Sequence, residues 1–219
     1  MKKLIVDLGL SGKFLLIAAV AALMLAVPGT LIVKANLEKA SFARSELAGI
    51  EPARVALKLV QLTQQHRGLS AGVLGGNEAM AAARRDRQLD VERALASVQQ
   101  SIGQLAEPQL TAAAGRIAGE WQSLSGAVAG RSIPGPQSLA RHTALIREQL
   151  VLIEDISHVS GIVLHPEATG YFLQLAVLTH TPRLTETLGQ MRARGALLLA
   201  RGEATAEERA RLQSLADVT

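Results

Sequence analysis

Gln64, His66 and Arg67 fall within a single helical turn of a stretch that is otherwise rich in leucine, valine and alanine. A guanidinium that faces into packed helices is a permanently charged planar fork of donors, and carboxylates and oxyanions match its geometry. Left unpaired there it costs several kcal/mol, so something has to satisfy it. The sequence leaves two candidates: an internal carboxylate such as Glu154 or Asp155, or a small anionic ligand. A second polar group, Tyr171 with Thr179, His180, Thr181 and Arg183, surrounds the Thr181-Pro182 step. If Pro182 breaks the helix, the free amides of the next helix offer an anion site that Arg183 would complete. The competing expectation is a plain helix-helix elbow with Tyr171 packed in the core.

Other chemistries find no footing. The five histidines, His66, His142, His158, His165 and His180, form no Glu-x-x-His or His-Glu-x-x-His pattern that would put metal ligands on one helix face. There is no glycine-rich phosphate loop, no nucleophile elbow and no cysteine. We therefore expect no catalytic residue, no metal and no cofactor. The isoelectric point near 9.8 invites a nucleic-acid reading. Yet setting aside Lys2, Lys3, Lys13, Lys34 and Asp7 leaves 19 basic against 18 acidic residues in the rest of the chain. With 2% aromatics there is almost no stacking platform for bases, and Arg84-Arg85-Asp86-Arg87 reads as a solvated helix face, so no nucleic-acid partner is expected.

The elements that hold these side chains start with a membrane anchor. Residues 14–33 (FLLIAAVAALMLAVPGTLIV) are 20 residues without a charge. At about 1.5 Å per helical residue they reach roughly 30 Å, the thickness of a bilayer's hydrocarbon core. A secretory signal is shorter and ends in a better cleavage site than Val33-Lys34-Ala35. Lys2, Lys3 and Lys13 precede the span against Asp7 alone, so the positive-inside rule keeps residues 1–13 in the cytoplasm and places 34–219 in the periplasm, with the protein in the bacterial inner membrane.

Beyond the anchor all signals are helical: Ala, Leu, Arg, Gln and Glu dominate, and apolar residues recur three and four apart. Breaks at Gly75-Gly76-Asn77, Glu107-Pro108, Ile133-Pro134-Gly135-Pro136, His165-Pro166 and Thr181-Pro182 divide the chain into helices over about 36–74, 78–105, 108–129, 137–164, 167–180 and 183–201. Another starts near Thr205, with Glu208 completing a capping box, and Asn77 is the expected N-cap of the second helix. On the first helix a heptad seam runs through Ile50, Ala53, Leu57, Val60, Gln64, Arg67, Ala71 and Leu74. A second stripe passes through Val55, Leu59, Leu62, His66, Leu69 and Val73, so the helix should sit centrally. The fold class is all-α: a transmembrane helix followed by an elongated antiparallel bundle of one or two modules. The stretch AEERARLQSLADVT at 206–219 ends without a cap, from which we expect a longer natural chain.

Residues 46–77, with Gln64-Gln65-His66-Arg67-Gly68-Leu69-Ser70 at their centre, resemble the ligand-binding region of methyl-accepting chemotaxis proteins, notably the nitrate/nitrite-sensing and helical-bimodular types. His165-Pro166-Glu167, Tyr171-Phe172-Leu173, Pro182-Arg183-Leu184-Thr185-Glu186 and Arg192-Ala193-Arg194-Gly195 extend the resemblance over most of residues 36–200. Gln64, Arg67 and Gly68 match the family's Gln-x-Glu-Arg-Gly signature, while His66 stands where Glu is usual, and this departure leaves nitrate itself unassigned. The resemblance implies a sensor module, not an enzyme. Its homodimeric pairing and its signal to a cytoplasmic kinase complex through an output half absent from these 219 residues are likewise implied by the resemblance, while the polar residues themselves give the expected site for a small, anionic solute as Gln64, His66, Arg67, Tyr171 and Arg183. The same input module could head a histidine kinase or a cyclic-dinucleotide enzyme, and a membrane-tethered bundle that binds a partner protein is the alternative of another class.

Overall fold

The computed structural model describes residues 9–201 and 203–217, so Lys2, Lys3 and Asp7, on which the orientation rests, lie outside the described residues, as does Thr219. Contacts divide the chain into two units, Met1–Ser45 and Glu46–Thr219. Every regular element among the described residues is helical: α1 (Leu10–Leu74), α2 (Ala81–Gly103), α3 (Pro108–Ala129), α4 (Gly135–Val159), α5 (Ala168–Gln174), α6 (Thr181–Arg201) and α7 (Ala206–Asp217).

In the first unit α1 is almost entirely exposed, with Leu15, Ile17, Leu23 and Met24 all uncovered by protein. By length and composition this is a helix that can cross a membrane, and none of its apolar window is buried. Lipid is the solvent that suits such a surface.

In the second unit α1, α2, α3 and α4 share one core, centred on Leu59, Val91, Ile102, Leu124, Leu145 and Ile153. On α3 the buried positions Leu110, Ala114, Ile117, Trp121, Leu124 and Val128 recur three and four apart, as an amphipathic helix requires. α3 packs on both α2 and α4. Residues 104–107 and 130–134 make the intervening turns, each closed by a left-handed residue, Ala106 (φ 55°) and Arg131 (φ 52°). Pro108 enters α3 at its first turn, where the missing amide costs no helical bond. α1 and α4 run antiparallel: Gly49 lies by Ser160, Thr63 accepts a hydrogen bond from Gln149 (3.0 Å), and His66 meets His142.

Half of the expected heptad seam of α1 holds, with Ala53, Val60 and Arg67 buried, while its alternate positions are displaced by one residue. Gly49, Ala53, Ala56, Val60, Thr63, Arg67, Ser70 and Val73 are buried, while Ile50 is 53% exposed and Leu57 and Leu74 are half-buried. Every seventh position along this seam, Gly49, Ala56, Thr63 and Ser70, is small, so hydrophobic size pointed to the wrong neighbour. The stripe through Leu59, Leu62, His66 and Val73 does face the core.

The expected break at Thr181-Pro182 is not there. Leu175–His180 form a π-helical segment between α5 and α6, and both flanking residues, Gln174 and Thr181, keep helical dihedrals. A π turn absorbs the amide that Pro182 lacks, so the backbone continues with no free helix N-terminus at this point. Asn77 makes no side-chain capping bond. The capping box at Thr205 does form: the Thr205 amide donates to Glu208 Oε2 (3.0 Å) and the Glu208 amide to Thr205 Oγ1 (3.2 Å).

Gly49 is where α1 comes closest to the end of α4. A Cβ there would sit 2.3 Å from Ser160 Cβ and 3.0 Å from Ile162 Cδ1. Gly49→Ala should therefore destabilise the bundle by about 1–3 kcal/mol through overpacking, read as a lowered midpoint in denaturant unfolding of the full chain.

Candidate functional site

Arg67 is 2% exposed and projects from α1 toward α6. Its Nη1 donates to Glu186 Oε1 (2.6 Å) and its Nη2 to Glu186 Oε2 (3.0 Å), a bidentate fork on a buried carboxylate. Gln64 Nε2 donates to the same Oε2 (3.0 Å), and Gln190 Nε2, one turn along α6, donates to Oε1 (2.8 Å). Thr143 on α4 steadies the guanidinium by accepting from Nη1 at 3.2 Å, while its own hydroxyl donates to the Leu139 carbonyl (2.9 Å). The guanidinium fits because α6 passes it at Gly189, where a Cβ would lie 2.9 Å from Arg67 Nη2.

The internal partner of Arg67 is thus Glu186, not Glu154 or Asp155. Asp155 is exposed, and Glu154 pairs with Arg183 on the surface. Glu186 is the sole acid between Thr181 and Arg201, set between Arg183 and Arg192, but nothing in that placement names a partner 119 residues away.

A cleft of about 680 Å³ opens beside this pair, lined by Gln64, Gln65, Arg67, Asn77, Arg87 and Arg192 with small and apolar residues between them. Three arginines and no acid line it. Such a surface raises the local concentration of anions and suits one that accepts several donors. Arg87 shares its charge with Asp90 (2.7 Å). Arg192, on the exposed face of α6, makes no ion pair among the described residues.

His66 points away from that cleft. Burial, then the neighbouring His142 and Arg84, push its pKa down from 6.5 to about 3. Burial also leads in lowering His142 to about 4, against the raising effect of its bond to Ser138. Both imidazoles are neutral, and their tautomers follow from the partners. His142 Nδ1 donates to the Ser138 carbonyl (2.8 Å), so its Nε2 accepts from His66 Nδ1 (2.9 Å). Trp121 closes the group edge-on to His66, with ring centroids 4.8 Å apart. His66 is a packed, hydrogen-bonded core residue one position from Arg67.

The second sequence-expected cluster does not assemble. Tyr171 is 40% exposed and stacks edge-on against Phe172 rather than packing in the core, and His180 and Thr181 face outward. With the helix continuous through Thr181, no free amides are offered to an anion. Arg183 does border a smaller cleft of about 260 Å³, together with Arg147, Glu154 and Glu186. The structure therefore joins Gln64 and Arg67, places Arg183 on the far side of Glu186, and leaves Tyr171 outside.

Comparison with known proteins gives two findings. A family model described as nitrate and nitrite sensing matches residues 58–218, a span that takes in both Arg67 and Glu186. Among solved structures the NasR transcription antiterminator is similar, with a TM-score of 0.69 over 88% of this chain at 21% identity. The chain spans about half the length of that protein, 52%, and the likeness at this identity is one of fold. No match is found among curated proteins.

The buried histidines make stability depend on pH. The folded chain refuses protons that the unfolded chain takes up once pH falls below 6.5, so stability present above that value is lost on acidification toward 4. Each histidine contributes about 1.4 kcal/mol per pH unit in this window. The melting temperature should fall by several degrees per unit between pH 6.5 and 4.5, and His142→Gln should reduce that slope.

Proposed function

The chain belongs to the nitrate and nitrite sensing family, and from that premise we propose that its bundle is the input module of a transmembrane chemoreceptor that binds a small planar oxyanion between α1 and α6. The carrying observation is the Arg67 fork, buried to 2% exposure at the edge of a cleft with three arginines and no acid in its lining. Nitrate and nitrite present coplanar oxygens with the spacing of a carboxylate, which is what the guanidinium and Gln64 already hold. His66, where the family usually has Glu, is a neutral ring in the packed core beside this site.

In this proposal residues 14–33 anchor the chain in the inner membrane, 1–13 are cytoplasmic and 34–219 periplasmic. The uncovered apolar surface of α1 supports the anchor, and the basic residues that precede it support the orientation. The ligand acts by shifting the population between two packings of the bundle, and α1 carries the change toward the membrane. A homodimer and a kinase-linked output half complete the receptor. A histidine kinase or cyclic-dinucleotide enzyme would use the same input, and the sequence of the output half separates the three.

Nitrate and nitrite should raise the melting temperature of the detergent-solubilised full chain, while chloride at equal concentration should not. At a hundred times the dissociation constant the gain is about 2.7 kcal/mol, or roughly 5–10 °C for a domain of this size. Arg67→Lys, which keeps the charge but not the fork, should remove most of the shift. Absence of any shift with either oxyanion in the native chain would argue for a bundle that binds a partner protein.

A further inference from the structure

The carboxylate of Glu186 occupies the position an oxyanion ligand would need. It is held by both arms of the Arg67 fork, takes one further donor on each oxygen from Gln64 and Gln190, and is 7% exposed. That is the coordination of a bound planar anion, supplied from within the chain. The seat also opens to the exterior, because Gln64 and Arg67 line the 680 Å³ cleft on one side while Glu186 lines the 260 Å³ cleft on the other.

Two anions cannot share this fork. Like charges about 4 Å apart, at an effective dielectric of about 20, would weaken binding by roughly a thousandfold. The carboxylate has somewhere to go. Arg147, one turn beyond Thr143 on α4, lines the smaller cleft, is exposed and makes no ion pair among the described residues. Arg183, one turn before Glu186, lines the same cleft and is held by Glu154.

Resting on the oxyanion-sensing reading above, we infer that Glu186 is a built-in surrogate ligand, which an arriving oxyanion expels from the Arg67 fork toward Arg147 in the neighbouring cleft. The exchange links occupancy to α6. In the unliganded chain Arg67 ties α6 to α1 through Glu186. In the liganded chain that tie is cut and the charge of Glu186 is met from α4. The absence of a side chain at Gly189, where a Cβ would lie 2.9 Å from Arg67 Nη2, keeps α6 close to the guanidinium, so loss of the Glu186 tie is felt directly by that helix. Such a device has two discrete arrangements, as a switch requires. It also sets the affinity, since every bound oxyanion has to displace an internal competitor first.

Isothermal titration of the full chain in detergent with nitrate tests this, using the native protein, Glu186→Gln, Arg147→Ala and the double variant. Glu186→Gln should tighten nitrate binding at least tenfold, because it removes the competing charge. Arg147→Ala should weaken binding several-fold in the native background and have no effect beside Glu186→Gln, the coupling expected when one residue acts only through the other. Unchanged or weaker binding in Glu186→Gln, with native binding intact, overturns the inference and leaves Glu186 a structural counter-charge. Should Glu186→Gln fail to fold, Arg147→Ala decides alone, since its side chain is exposed: unchanged nitrate affinity overturns the displacement. Nitrate binding by none of the four proteins overturns the oxyanion-sensing reading and this inference together.

Discussion

Everything in the second unit accommodates one buried guanidinium. Taking Arg67 out of water is unfavourable by more than any single contact in the core returns, so its five donors have to find partners held in a fixed geometry. α4 supplies Thr143, α1 supplies Gln64 alongside, and α6 supplies the carboxylate and Gln190. This polar contact ties α6 to α1, and among the α6 residues whose burial is described Pro182 and Glu186 are the buried ones. The tie between Arg67 and α6 is electrostatic and geometric, and a contact of that kind can be exchanged for an equivalent one.

The histidine pair beside it follows the opposite logic. His66 and His142 lie one helix position from Arg67 and Thr143, yet they solve burial by staying neutral and bonding in series toward the Ser138 carbonyl. A neutral ring and a charged group, His66 and Arg67, thus occupy successive positions of α1, the ring facing the packed interior and the charge an anion seat. The division matters for recognition. A neutral ring at position 66 leaves the positive potential of the cleft uncompensated from that side, where a carboxylate would have lowered it.

Much of this was legible in the sequence and some was not, for physical reasons. Gln64 and Arg67 stood out because polar groups in an apolar stripe demand partners, and helix limits followed from Pro108 and Pro134, whereas α4 ends at Val159, short of the expected 164, where Gly161 turns left-handed. The family signature around Gln64-Gln65-His66-Arg67-Gly68 pointed to the sensor class that the family match confirms. Alternate positions of the α1 seam were misplaced because large apolar residues such as Ile50 and Leu57 outweigh Gly49 and Ala56 in any count of hydrophobicity, while close packing selects the small ones. Glu186 was missed because its partner lies 119 residues away, and no local pattern marks a contact between distant helices. The error at Thr181-Pro182 came from treating proline as a stop, which holds for an α-helix but not where a wider turn precedes it.

That wider turn fixes an angle. Each π turn holds one residue more than an α turn, and one residue corresponds to about 100° of helical rotation. The side chains of α6 are therefore phased differently from those a straight continuation of α5 would present, and Glu186 faces Arg67 only at the phase that Leu175–His180 impose. The bearing of the carboxylate is set like the hand of a clock, by a backbone irregularity that itself touches neither the guanidinium nor the cleft.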